Sequence, residues 1–457
     1  MNLSELIRQP EGKTLEFKRD LSSPGPILRT VCALANTAGG TVVFGIADRS
    51  GTVLGIPDPL DAEERLSSIV ADGITPRVLP DINIIPWRDT HVIALNVHPG
   101  PSRPYHLTNS PVDKGTYVRV GSTNRLADAS LIAELARSAI GESYDEQPMP
   151  DYRLRDLDER EIDESFAGKR ATSAARRKTL RLTVTYQDKE VPTIGGMLLF
   201  GRDRLAAFPD AWIQVGRFKG VSKRFVLDTA DLLDYPTVAI EYTLTFIARN
   251  TSLAYELHGA RRIEVPEYPP EAVREAVINA VVHADYSQRG APVRVAIFDD
   301  RIEIENPGLL VPGLTIPDML AGVSKVRNRM IARVFRELGL IEQWGSGVGR
   351  MHEACTAAGL APPLLEEIGS RFRVTLYSAR LGKPAVDMLD STALEALRGA
   401  EGLSTAEVAA LLGRTTRATR DRLRRLVERG LVVELGSSPN DPHRRYYIAE
   451  DPARWKT

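Results

Sequence analysis

Glu275, Asn279 and His283 stand at i, i+4 and i+8 in a run with helical periodicity, so a carboxylate, an amide and an imidazole share one stripe. An amide oxygen is a hard, uncharged ligand suited to a hydrated divalent cation. A carboxylate one turn earlier can reach and deprotonate a water held beside that ion. Polar groups aligned beside a core-facing stripe point to a pocket wall, although a Glu-x-x-x-Asn spacing taken alone is a weak motif, common on solvated helix faces.

The elements that must position this stripe follow from local signals. Pro269 and Pro270 preset the first turn of a helix whose apolar residues recur at Val273, Val277, Ala280 and Val281. Downstream, Ala291 to Phe298 and Arg301 to Glu305 alternate in period two around Asp299-Asp300, which predicts a hairpin ending in Asn306-Pro307-Gly308. A stretch with Pro312, Gly313, Pro317 and Gly322 leads to Ser324-Lys325-Val326-Arg327-Asn328 and a helix from Met330 to Leu338. Gly345-Ser346-Gly347 then opens a helix to Ala358, followed by a strand from Arg371 to Tyr377.

Length and composition bound the rest. A chain of 457 residues predicts three domains, because single cores stop growing at about 100 to 200 residues. Hydrophobic content of 43%, charged content of 26% and a net charge of −1 fit a soluble globular protein without a global bias toward nucleic acid or membrane, so any nucleic-acid site must be local. Cys32 and Cys355 lie in apolar helical surroundings, no apolar run is long enough to span a bilayer, and the seven histidines show no metal-ligand spacing. These features predict a cytoplasmic protein with no membrane partner and no structural zinc.

The first segment reads as an α/β domain: a strand at Leu15 to Lys18, a helix at Ile27 to Asn36, a buried strand at Thr41 to Ile46, further strands at Ile82 to Ile85, His91 to Val97 and Gly115 to Val120, and a helix from Asp128 to Ile140. The blocks Glu11-Gly12-Lys13-Thr14-Leu15-Glu16-Phe17-Lys18, Ala35-Asn36-Thr37-Ala38-Gly39-Gly40-Thr41 and Tyr117-Val118-Arg119-Val120-Gly121-Ser122-Thr123-Asn124 together resemble the Schlafen-type AlbA domain, a nucleic-acid-binding module. The resemblance implies an AlbA-like domain over 1–141, then a connector over 142–262, where the Phe200-Gly201 and Ala211-Trp212-Ile213-Gln214 blocks resemble the linking segment of AlbA-plus-ATPase proteins.

Glu275, Asn279, the Asn306-Pro307-Gly308 turn and the Gly345-Ser346-Gly347 loop occur in the order of the nucleotide site of GHKL ATPases, and the run as a whole resembles the GHKL-like domain of RecG-like C-terminal regions. That resemblance implies a Bergerat-type α/β sandwich over 263–380 that uses ATP and Mg. In it Asn279 binds the ion and Glu275 acts as general base, while Ser324, Lys325, Arg327 and Asn328 lie on a mobile lid over the phosphates. Gly308, Gly345 and Gly347 give backbone amides access to them. Asn306 stands where the family generally has an Asp that accepts the adenine amino group, a bond its amide carbonyl can accept more weakly. No Gly-x-x-x-x-Gly-Lys-Ser/Thr run exists in the chain, which predicts no unwinding activity.

In the last segment, Leu389 to Leu397, a Ser404-Thr405-Ala406-Glu407 capping box, Gly413 and a helix from Thr415 to Arg429 precede two strands, predicting a winged helix-turn-helix over 385–450. Seven arginines between 414 and 429 face only Asp421 and Glu428, a local charge of +5, and Arg417, Arg420 and Arg424 share one stripe suited to DNA phosphates. The fold class expected is therefore multidomain α/β and α+β, and the function a DNA-binding, ATP-binding transcriptional regulator that forms a homo-oligomer. The alternative is a Schlafen-like endoribonuclease acting on RNA, with Glu11, Glu16 and Asp48 as metal acceptors. Lys18, Arg19, Arg119 and Arg125 offer a phosphate-holding reading of the same region.

Overall fold

Leu15–Lys18 forms strand β1, which pairs in parallel with β2 (Gly40–Phe44), Leu15 opposite Thr41 and Lys18 opposite Phe44. The computed structural model describes residues 3–47, 51–167, 173–258, 261–341, 347–378, 388–398, 402–428, 432–435 and 445–448. They fall in two units, Met1–Ala379 and Arg380–Thr457. The fold is mixed α/β.

Helix α1 (Pro24–Asn36) makes the crossover between β1 and β2, with prolines in its first turn as at the favoured helix start. It begins three residues earlier than its apolar pattern predicts. A second helix, α2 (Pro59–Gly73), has no counterpart in the sequence reading. Asp58 caps it by accepting from the Asp61 N–H, Pro59 stands at its first position, and Ala62, Leu66 and Val70 are buried. Strands β3 (Asp81–Trp87) and β4 (Thr90–Val97) complete an antiparallel extension, giving the order β1-β2-β4-β3. Successive β2 side chains serve two cores: Val42 and Phe44 pack with α1 and α2, Val43 with Leu3, Leu15 and Phe17. Hairpin β5 (Tyr117–Val120) and β6 (Thr123–Leu126) leads into α3 (Ala129–Ala139), capped by Asp128.

The larger core is built on a six-stranded sheet. Helix α4 (Ile194–Phe200) is wholly buried in a core it shares with β7 (Ile213–Phe218), β8 (Val226–Leu232) and α5 (Pro236–Asn250). Then come α6 (Pro270–Val282), β9 (Val293–Ile297), β10 (Arg301–Pro307), α7 (Arg329–Glu337), α8 (Gly347–Ala357), β11 (Leu364–Ile368) and β12 (Arg371–Tyr377). The strand order is β8-β7-β9-β10-β12-β11, with β7 and β9 parallel and every other pair antiparallel. The sheet thus draws on residues either side of position 262. Helix α6 lies between β10, α5 and α8. That position explains why it is buried on more than a single stripe, with Ala272, Val273, Ala276, Val277, Ile278, Ala280, Val281 and Val282 all in the core.

In the second unit α9 (Met388–Arg398), α10 (Thr405–Leu412) and α11 (Thr416–Glu428) share a core of Ala393, Leu397, Val408, Leu412, Leu423 and Leu426. Ser404 and Glu407 form the expected reciprocal capping box, and Gly413 ends α10 in the left-handed conformation at φ +60°. Strands β13 (Val432–Leu435) and β14 (Arg445–Ile448) pair antiparallel, Val432 opposite Ile448.

Candidate functional site

A cleft opens beside α6, walled by Glu275, Asn279 and His283 along that helix, Asn306 from β10, Ser324, Lys325 and Arg327 from the following segment, and Gly347 at the start of α8. Seven of the residues expected at a nucleotide site are thereby brought together. Leu310, Val311, Met319, Phe372 and Val374 supply an apolar side that the polar motif does not reveal.

Glu275 is buried and fully engaged: Oε1 accepts from Asn279 Nδ2 at 3.1 Å and Oε2 from Arg350 at 3.1 Å. Arg350 escaped the sequence reading because an arginine in the first turn of a helix is usually solvated. Its signal lies in following the glycine loop by one turn. Committing Nδ2 to Glu275 leaves Asn279 Oδ1 without a hydrogen bond among the described residues, an unspent hard acceptor on the cleft wall. Asn306 donates through Nδ2 to the carbonyls of Pro307 at 3.0 Å and His283 at 3.4 Å, so neighbouring acceptors fix the amide's orientation and leave its oxygen as the acceptor.

His283 caps α6 rather than continuing it and lines the cleft. Burial, with the Arg327 guanidinium adding to it, pushes its imidazole down to about 4, so the ring is neutral. Its ring takes no hydrogen bond among the described residues.

The segment from 324 to 328 divides. Ser324 and Lys325 are exposed, the Lys325 ammonium resting on the Gly313 carbonyl at 2.9 Å. Arg327 is turned away from solvent, paired with Glu134 of α3 and donating to the Leu309 carbonyl. Asn328 is buried off the cleft, where Nδ2 holds the Val282 and Ala284 carbonyls at 2.8 and 2.7 Å and secures the end of α6. Gly308 also lies off the cleft lining; at φ +101° it packs on Asp285 and the Arg327 guanidinium, and its N–H donates to the Ser370 carbonyl at 2.8 Å. Gly345 lies outside the described residues.

In the first segment the three motif blocks bond to one another. The Arg119 side chain is fully buried. It donates to the Gly12 carbonyl at 2.9 Å, to Asn124 Oδ1 at 2.9 Å and to Glu16 Oε2 at 2.5 Å. Asn36 donates to the Tyr105 and Tyr117 carbonyls, both at 2.8 Å, and accepts from the Tyr105 N–H. Arg119 is therefore sequestered from any phosphate, whereas Arg19 and Arg125 are exposed. Of the nuclease candidates, Glu16 has Lys18 on one oxygen and Arg119 on the other, Glu11 accepts from the Phe17 N–H at 2.8 Å, and Asp48 lies outside the described residues. Both described carboxylates already have protein donors, and among the described residues no group of three His, Cys, Asp or Glu side chains is placed to hold a metal ion.

On α11, Arg417, Arg420 and Arg424 are all exposed, and Leu423 and Leu426 turn into the core. No helix among the described residues is long and apolar enough to cross a membrane.

Residues 290–376 match the family described as "Putative ATP-dependent DNA helicase recG C-terminal", a span that includes Asn306 and the 324–328 segment and begins after Asn279. Residues 11–128 match the Schlafen AlbA_2 family. The crystal structure of the DIP2311 protein from Corynebacterium diphtheriae is 21% identical, covering 97% of this chain and 95% of that one, at a TM-score of 0.45. The N-terminal domain of a RecG-related protein from Nitrosomonas europaea is 23% identical, covering 27% of this chain and 90% of that one, at a TM-score of 0.23. No curated protein matches the chain. The architecture expected from the motif blocks is the one found: a Schlafen-type AlbA_2 domain followed by a domain of the RecG C-terminal type.

Proposed function

We propose that the chain is an ATP-binding, DNA-binding regulator of transcription, in which nucleotide in the α6 cleft controls nucleic-acid binding. The observation that carries this reading is the Glu275–Asn279 pair, which leaves one amide oxygen free on a wall facing an apolar surface. Asn279 Oδ1 would hold a magnesium ion, which would supply charge neutralisation for the phosphates when bound. The apolar side holds the base, with the Asn306 carbonyl accepting from its amino group. Lys325 supplies a cation for the phosphates, since among the described residues only carbonyls hold it. Glu275 orients or deprotonates water, its carboxylate pinned by Arg350.

In this reading the functional parts are the AlbA-like domain over 1–141, the linking region over 142–262, the nucleotide domain of Bergerat type over 263–380 and a winged helix over 385–450. The third helix, α11, presents Arg417, Arg420 and Arg424 to DNA, and the protein acts as a homo-oligomer. Support for the winged helix comes from three helices followed by an antiparallel pair of strands. Calorimetry with ATP and magnesium on the full chain and on Asn279→Ala tests the site. DNA binding measured with and without ATP and magnesium tests the control, and identical affinity in both conditions sinks it.

A further inference from the structure

We propose that a second cavity, between the AlbA_2 domain and the segment that walls the nucleotide cleft, is a separate phosphate-binding site, for a phosphodiester of a nucleic acid or for free phosphate. Arg103, Arg137, Lys325, Arg327 and Arg329 line it. Among the described residues only Glu134, Glu142 and Asp285 oppose them, an excess of two positive charges on a chain whose net charge is −1. Among the described residues, Arg327 alone of the five has a carboxylate at ion-pair distance, its partner being Glu134. Arg103 donates to the Ser138 hydroxyl at 3.3 Å, Arg329 to the Gly141 carbonyl at 2.8 Å and Lys325 to the Gly313 carbonyl at 2.9 Å, and Arg137 lies over the Tyr144 ring at 5.1 Å. The Nε atoms of Arg103 and Arg327 are buried with no hydrogen-bond partner.

Half-burying the Arg103 guanidinium without a carboxylate is costly, and that burial pulls it below its ordinary value. An anion removes that cost by supplying the missing charge and acceptors. Phosphate is the matching chemistry, because planar guanidinium forks bind its oxygens in pairs. The site does not depend on nucleotide in the α6 cleft, although Lys325 and Arg327 border both cavities.

The test is the double variant Arg103→Gln/Arg137→Gln in the full chain, since neither residue lines the α6 cleft. A labelled single-stranded oligonucleotide, inorganic pyrophosphate and ATP with magnesium serve as three probes. Oligonucleotide affinity is expected to fall about tenfold, with the slope of log affinity against log salt shallower by about 1, as losing one to two phosphate contacts requires. ATP affinity and melting temperature are expected to stay at wild-type values. A loss confined to pyrophosphate keeps the site and makes free phosphate its source. A wild-type chain that binds neither phosphate probe, a variant that binds both as tightly as wild type, or an equal loss in ATP affinity overturns the proposal. Asn279→Ala separates the two sites, since it should lose ATP and keep the oligonucleotide.

Discussion

A Cβ added to Gly347 would lie 2.6 Å from Glu275 Cδ and closer still to its Oε1, so the first residue of α8 has to be glycine for Glu275 to hold both Asn279 and Arg350. Gly347→Ala moves the Glu275 carboxylate and breaks those bonds without disturbing the apolar core. The expected result is about a tenfold loss of ATP affinity, ~1.4 kcal/mol by calorimetry. Gly349→Ala, one residue further, meets nothing within 4 Å. It should leave affinity alone and raise stability by up to ~1 kcal/mol, because alanine is the better helix former.

Asn279 and Glu275 should separate binding from turnover. Asn279→Ala removes the unspent amide oxygen and is expected to weaken magnesium-dependent ATP binding by tenfold or more, about 1.4 kcal/mol. Glu275→Gln keeps the shape and one acceptor, so ATP binding persists, while any hydrolysis falls by roughly 10²-fold or more in a phosphate-release assay. Equal hydrolysis by Glu275→Gln and wild type removes Glu275 as the base.

Much of this site was legible because glutamate, asparagine and glycine at fixed spacings have few other reasons to occur together. The strands β1 and β12 and the Ser404 capping box also follow from local pattern, which tertiary packing had no cause to override. Sequence could not reveal that Arg327 and Asn328 turn inward. Both carry lid-like chemistry, and only the approach of Glu134, 193 positions away, and of the α6 carboxyl end decides their direction. Helix α2 was missed although Asp58-Pro59 announces it; Ala211 to Phe218 does read as strand-like, but its place in the large sheet is hidden because its parallel partner β9 is remote in the chain.

Acid should weaken the fold through His283. An unperturbed imidazole titrates near 6.5 and this one is held down to about 4, so between those values the unfolded chain carries the extra proton. Stability from this group is therefore complete above pH 6.5 and is lost as pH falls toward 4, by up to about 3 kcal/mol. Asp145, pushed up to about 6 by burial, acts in the opposite sense over the same range. Comparing wild type with His283→Gln by denaturant unfolding at pH 7 and pH 4.5 isolates the histidine; equal pH dependence in the two proteins refutes it.

The Arg327–Glu134 pair joins the segment walling the cleft to α3, the helix that follows the AlbA_2 match, and both side chains are largely buried. Glu134→Gln strands a buried guanidinium and should cost about 3 kcal/mol. Glu134→Gln/Arg327→Met should recover part of that loss, and thermal unfolding of the two variants decides it.

For the second unit, replacing Arg417, Arg420 or Arg424 with Gln is expected to weaken DNA binding uniformly across sequences. Each change should flatten the salt slope by about 0.9, with no change in melting temperature because all three side chains are exposed. Unaltered slopes in all three assign α11 to another partner.

The parallel pairing of β7 with β9 has a practical consequence for anyone cutting this chain into pieces. A fragment starting at the family match, residue 290, keeps Val293–Ile297 but discards the strand that covers its outer edge, and with it α6. The exposed row of amides and carbonyls beside valine and isoleucine is a template for joining a second copy. Such a fragment should be recovered as aggregate, and one starting before Ile213 should stay in solution.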